Sequence, residues 1–324
     1  MPQSAYIEAN GIRLHYLSEG SGPLMIFLHG FPEYSGAWKD QLAEFGKDHL
    51  AVAPDMRGYN LSEKPAELDR YHMSYLVEDV RALAVALGHP RFTLVGHDWG
   101  GVVAWSFAIA HPECLDRLII VNAPHPAIFG RLLAEDAAQQ QASRYMQLLR
   151  SPEAEQTLSA NNFAWLTGAL FGGVRPQVVR TPMRESGSLA LGGKLFGTEE
   201  DRRGYIEAWS QPGALTGGLN YYRAMRAGEQ KASSLQHRSA RDESPRAGAA
   251  GSRPAPDPAS LVVKVPTLVI WGELDTALLS ANLTGLEQFI PALTVRRIPD
   301  GSHWVIHEHP ALVNRFIREF LATG

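Results

Sequence analysis

Apolar residues fall along this chain in two alternating rhythms. Short unbroken runs have the continuous hydrophobicity of strands buried on both faces: Leu24-Met25-Ile26-Phe27-Leu28, Ala51-Val52-Ala53-Pro54, Phe92 to Val95, Leu118-Ile119-Ile120-Val121 and Thr267-Leu268-Val269-Ile270-Trp271. Between them apolar positions recur every three or four residues, through Trp38, Leu42 and Phe45, and through Leu76, Val80, Leu83 and Leu87 over residues 74–87. That spacing predicts helices. Residues 5–18 alternate about Asn10-Gly11, the signature of a tight hairpin. A helix near 279–289, a strand Val295-Arg296-Arg297-Ile298 and an amphipathic helix over 309–322 close the pattern. Strands alternating with helices predict a mostly parallel sheet in an α/β architecture, with ligands bound beyond the carboxyl ends of its strands.

The pattern breaks twice. From about 127 to 228 no clean buried strand occurs, and helical segments such as Arg144 to Leu149 and Phe163 to Leu166 dominate. This predicts a helical cap inserted over the strand ends. Residues 229–259 are polar and rich in Pro, Gly and Ser, too poor in apolar surface to offset the entropy of ordering, and read as a flexible linker. The core domain is then 1–126 with 260–324.

Composition narrows the partners. The 324 residues are 45% hydrophobic, enough for a large core, and the net charge of −4 gives no reason to expect nucleic acid. One cysteine, Cys114, allows no internal disulfide and fits a reduced compartment. Neither a secretory leader pattern nor an apolar run approaching the ~20 residues of a membrane span is seen, so a soluble, cytoplasmic protein, monomer or homodimer, is expected. Without a Cys/His cluster or His-Glu-x-x-His spacing, no metal and no cofactor are expected.

The chemistry centres on Gly96-His97-Asp98-Trp99-Gly100-Gly101, where the run ending at Gly96 meets a helical segment from Trp99. Glycine two positions to either side of a central residue marks a strand-to-helix elbow that lifts one side chain above the sheet. That residue is Asp98. A carboxylate, with an ordinary pKa of about 3.9, is ionised at neutral pH and needs no base to attack a carbon bearing a leaving group. A histidine is then required only to activate water against the resulting ester. As a bare helix cap, Asp98 would not need both flanking glycines. Nucleophile, acid after a later strand, and histidine after the last strand form a known catalytic order, met here by Asp98, Asp275 and His303. Glu273 and Asp300 are rivals for the acid. Most of the 12 histidines are bystanders; His307 and His309 read as solvated residues at a helix entry. The backbone N–H groups of Phe31 and Trp99 are the natural oxyanion donors, and Phe31-Pro32 is a candidate cis peptide.

His29-Gly30-Phe31-Pro32-Glu33, Asp55-Met56-Arg57-Gly58-Tyr59, the Asp98 elbow and Gly301-Ser302-His303-Trp304 together resemble the α/β-hydrolase family, and within it the soluble, microbial-type epoxide hydrolases. The resemblance covers nearly the whole chain outside 229–259. It implies a small apolar epoxide and water as reactants, with Phe31, Pro32 and Trp99 lining the substrate site. It also implies two cap tyrosines that hydrogen-bond the epoxide oxygen. Tyr222, in Asn220-Tyr221-Tyr222-Arg223, and Tyr145, ahead of Pro152, take those places. Asn60 stands where the family often has Gly, and Asn tolerates the left-handed turn.

A haloalkane dehalogenase would use the same Asp98, His303 and Asp275. It needs two halide donors; Trp99 offers one, Phe31 has none in its side chain, and a cap residue such as Trp165 would have to supply the other. An ordinary esterase would carry Ser at position 98. A non-catalytic binding protein on the same fold has no need of all three residues.

Overall fold

The computed structural model describes residues 2–171, 197–225 and 258–323. Two strands, β1 (Gln3–Ala9) and β2 (Ile12–Glu19), form the expected hairpin, with Asn10 and Gly11 both at positive φ (51° and 69°). That turn matches the twist of the strands it joins. The sheet continues through β3 (Leu24–Leu28), β4 (Leu50–Pro54), β5 (Phe92–His97), β6 (Leu115–Val121), β7 (Thr267–Gly272) and β8 (Leu293–Ile298). Its order is β1-β2-β4-β3-β5-β6-β7-β8, parallel from β4 to β8 and antiparallel at the hairpin.

Helices α1 (Lys39–Phe45), α2 (Met73–Ala86) and α3 (Trp99–Ala110) connect the first strands, and the chain closes with α10 (Val305–Glu308) and α11 (Pro310–Leu321). One buried layer joins Met25, Phe27, Val95, Ile119, Leu268 and Ile270 to α1 and α11. The other face buries Ile26, Leu94, Leu118 and Val269 against α2 and α3, and this layer runs on without a break to Leu166, Trp209, Tyr221 and Tyr222 of the inserted segment. Alternate residues of each central strand therefore serve opposite layers, and so these runs are apolar throughout.

Between β6 and β7 the described residues are helical: α4 (Pro126–Glu135), α5 (Ala137–Ala142), α6 (Tyr145–Arg150), α7 (Ala154–Phe171), α8 (Glu199–Ser210) and α9 (residues 214–225). A kink interrupts α7, where Asn161, Asn162 and Phe163 hold positive φ. Most of the linker expected at 229–259 lies outside the described residues. Among the described residues no helix is long and apolar enough to cross a membrane. The helix expected near 279–289 is instead two short 3-10 turns, Ser280–Leu283 and Leu286–Gln288. Gly285 separates them with a φ of 91°, a left-handed step no continuous helix accommodates.

His125, at the start of α4, is fully buried, stacked on Phe289 with ring centroids 4.8 Å apart and edge-on to Trp105. Its Nε2–H donates to the Leu261 carbonyl at 3.1 Å, while Nδ1 is buried without a partner. Burial opposes a second proton and lowers its pKa to about 4. The unfolded chain takes up that proton below about 6.5 and the folded one does not, so stability is lost as pH falls from about 6.5 towards 4. The loss approaches about 3 kcal/mol at ~1.36 kcal/mol per pKa unit. Urea melts across that window should show a shallower acid slope in His125→Phe than in the parent, and equal slopes would overturn the assignment.

Candidate active site

The elbow forms as its glycines dictate. Strand β5 ends at His97, α3 begins at Trp99, and Asp98 between them holds φ 48° and ψ −121°. A Cβ on Gly100 would lie 2.2 Å from the Leu28 carbonyl oxygen, and one on Gly96 would lie 2.4 Å from that of Gly100. Both distances are far inside contact, so the elbow can press against β3 only with hydrogen at these positions. The strained turn carries the Asp98 carboxylate above the sheet, only 8% exposed.

Each Asp98 oxygen has its own neighbour. Oδ1 accepts from the Phe31 backbone N–H at 2.8 Å. Oδ2 faces His303 Nε2 at 3.5 Å. His303 Nδ1 donates to Asp275 Oδ2 at 2.7 Å. The Asp275 carboxylate is buried and saturated: Oδ1 accepts from the backbone N–H groups of Ala277 (2.8 Å) and Leu278 (2.9 Å), and Oδ2 also accepts from Asn122 Nδ2 (2.8 Å). Burial works against charge on His303, but Asp275 and Asp98 outweigh it and hold the imidazole pKa well above 6.5. Burial would raise the Asp98 pKa, yet the His303 hydrogen bond and charge, with the Phe31 N–H, hold it below the usual carboxylate value. Glu273 instead pairs with Arg297 at 2.9 Å, and Asp300 lies 3.6 Å from His309, so neither rival acid reaches His303.

Above this group the Tyr222 ring meets Phe31 and Trp99 edge-on, with centroids 5.4 Å and 5.1 Å away. The Tyr145 ring lies 6.4 Å from that of Tyr222. Burial raises both phenol pKa values, and the charge of Asp98 adds to each shift. Both phenols are thus held neutral. Phe31-Pro32 is cis, and the Pro32 carbonyl accepts from the Trp209 indole of α8 at 2.5 Å.

Sequence patterns alone passed over several supports. Asn122 ends β6 at a φ of 39° and grips both Gly272 and Asp275. Buried Glu33 meets His97 Nδ1 at 2.8 Å and His307 Nε2 at 2.6 Å, while His97 Nε2 donates to the His303 carbonyl at 2.9 Å. His307 is therefore a half-buried partner of Glu33 rather than the solvated residue expected from its place at a helix entry. Glu33 pairs with it because the loop after β3 folds back over α10. Gln139 of α5 spends its whole side chain on the Asp275 loop and its neighbour Ser143: Nε2 donates to the Ala277 carbonyl and the Ser143 hydroxyl, and Oε1 accepts from Leu279 N–H and Asn282 Nδ2. Asn60 holds a φ of 38° and donates to Asp55, as its place in the turn suggested. Among the described residues no group of His, Cys, Asp and Glu is arranged to hold a metal ion.

A family model described as the alpha/beta hydrolase fold matches residues 23–310. Epoxide hydrolase 3 of Xenopus tropicalis is 34% identical, over 98% of this chain and 78% of its own length. The AB hydrolase superfamily protein YfhM of Bacillus subtilis (strain 168) is also 34% identical, over 98% of this chain and 96% of its own. Among solved structures, the epoxide hydrolase of Bacillus megaterium in complex with an inhibitor superposes with a TM-score of 0.79 at 36% identity, covering 98% of this chain and 99% of that one. The sheet order, the Asp98 elbow and these matches agree: the chain belongs to the α/β-hydrolase fold family.

Proposed function

We propose that the chain hydrolyses small apolar epoxides to vicinal diols, without a cofactor, through an ester on Asp98. The observation that carries this reading is the placement of two neutral phenols, Tyr222 and Tyr145, over an ionised carboxylate whose second oxygen faces His303. A relative named epoxide hydrolase 3, at 34% identity, supports it. In the first step Asp98 Oδ2 attacks a ring carbon and the C–O bond opens. The departing oxygen takes a hydrogen bond and then a proton from the tyrosines. Oδ1 stays on the Phe31 N–H.

Esterification removes the charge of Asp98, one of the two anions that raise the His303 pKa. The imidazole proton is therefore held less tightly once the ester exists, which is when a neutral base is needed. His303, oriented by Asp275, takes a proton from water. The hydroxide attacks the ester carbonyl of Asp98, and the oxyanion forms where Phe31 N–H already donates, with the Trp99 N–H at the start of α3 as second donor. The intermediate then collapses: the ester oxygen leaves as the second hydroxyl of the diol with the proton held by His303, and the proton left on the Asp98 carboxyl returns to the tyrosinate, restoring both the carboxylate and the phenol. In this reading residues 127–228, with helices α4 to α9, are the cap that roofs the site, with the core on either side of it in sequence.

The test is a two-substrate assay on purified protein. Styrene oxide should give phenylethanediol while 1-bromobutane gives no bromide. Bromide without diol would overturn the reading and assign the leaving-group site to Trp99 and a cap indole.

A further inference from the structure

A second nucleophile–base–acid set lies away from Asp98, at the open edge of the sheet. Ser4 Oγ of β1 is 2.8 Å from His15 Nε2 of β2, and His15 Nδ1 is 2.6 Å from Asp55 Oδ2, just beyond β4. We propose that Ser4, His15 and Asp55 form a serine-based site that takes acyl groups from small activated esters.

The tautomer follows from the acceptors. Burial works against charge on Asp55, but its hydrogen bonds from His15 and the Ser35 N–H hold its pKa below the usual carboxylate value. An ionised carboxylate only accepts, so His15 Nδ1 carries a ring proton, and in the neutral imidazole Nε2 offers its lone pair to the Ser4 hydroxyl. Asp55 is itself fixed, Oδ1 by the Ser35 N–H at 2.8 Å and Oδ2 also by Asn60 Nδ2 at 2.8 Å. The base is 3% exposed while Ser4 is open to solvent. This is the arrangement a nucleophilic serine needs: a shielded, oriented imidazole and an accessible hydroxyl.

Two further features serve an acyl group. The hairpin turns on two residues with Ala9 opposite Ile12, so that pair exchanges both backbone hydrogen bonds, and so does every second pair after it. Ser4 and Tyr6 fall between those pairs, and their N–H groups point to the open edge, where they can meet an oxyanion. On β2 the N–H of His15 likewise turns away from β1, to Ser62 Oγ at 2.9 Å. The site is also flanked by apolar surface: Tyr6, 45% exposed, has its ring 5.1 Å from that of His15, and Leu61, 41% exposed, follows the Asn60 that holds Asp55.

In the reaction Ser4 Oγ bonds to the acyl carbon and its proton passes to His15 Nε2. The ester alcohol leaves with that proton, and water, activated by the same imidazole, releases the acid and restores Ser4. If the chain of hydrogen bonds served only to tie the hairpin to the Asp55 loop, Ser4 would react like any exposed serine.

An alkyl fluorophosphonate separates the two. Its P–F bond breaks as Ser4 Oγ bonds to phosphorus, fluoride leaves, and the adduct persists. Peptide mapping of the intact wild-type protein compares Ser4 with the exposed Ser159 and Ser210 in the same digest. Ser4 is expected to label at least about 100-fold faster, the lower range of general-base assistance. His15→Gln should bring Ser4 down to the reference serines. Ser4→Ala should lose the adduct and keep its diol production. Comparable labelling of Ser4, Ser159 and Ser210 in the wild-type protein, or no labelling of Ser4, overturns the proposal whether or not the His15 variant folds.

Discussion

His303→Gln is expected to become alkylated by styrene oxide and then to stall. Intact mass should rise by one substrate molecule, the added mass should map to the peptide carrying Asp98, and turnover should fall by at least about 10²-fold, the usual loss with a general base. Asp98→Asn should show neither adduct nor turnover. On the proposed route the pair divides the reaction, because the two residues would act on different bonds: Asp98 Oδ2 would make the ester, and His303 would act only on the water that cleaves it. Glutamine keeps a side-chain group that can face Asp275, so His303→Gln is gentle on the buried carboxylate with its three other donors. If His303→Gln showed no adduct after exposure to substrate, the ester route would be wrong.

How much of this was legible beforehand depends on how local the signal is. Asp98 announces itself because the elbow's steric demands are met within a few residues by Gly96 and Gly100. Asp275 and His303 are placed by rule, the one following the buried strand β7 and the other the edge strand β8, and the parallel sheet brings those ends to one face. Asn122 ends β6 in the same way, but its importance lies in a bond to Asp275, 153 positions away. The Glu33 pairs are similar: 64 positions separate it from His97 and 274 from His307. Nothing in the local pattern of a histidine tells a solvated side chain from one closed over by a distant carboxylate. The segment 279–289 failed for a related reason. Its apolar spacing suits a helix, but Gly285 takes a left-handed step and Gln139 claims the Leu279 N–H and the Asn282 side chain, so tertiary bonds replace the helical ones.

The tyrosines are placed by resemblance and by the rings around them, and they carry the other large effect. Removing both hydroxyls, in Tyr145→Phe/Tyr222→Phe, is expected to slow alkylation by at least about 10²-fold, because the ring oxygen would then depart as an alkoxide with neither phenol to take it up. Either single change should cost less than half of the double one on a logarithmic scale, since the remaining phenol can still donate. Burial raises both phenol pKa values above 10, so both stay protonated as pH rises through neutrality and the defect should not depend on pH there. Rapid-quench mass spectrometry distinguishes this from the His303 defect. The double variant should not accumulate ester, because formation rather than cleavage has become slow, and epoxides whose alkoxide is better stabilised should lose less. An undiminished alkylation rate would make both rings packing residues of the roof. Accumulated ester would move their action to the second step, where the neutral hydroxyls would be orienting water instead of releasing the ring oxygen.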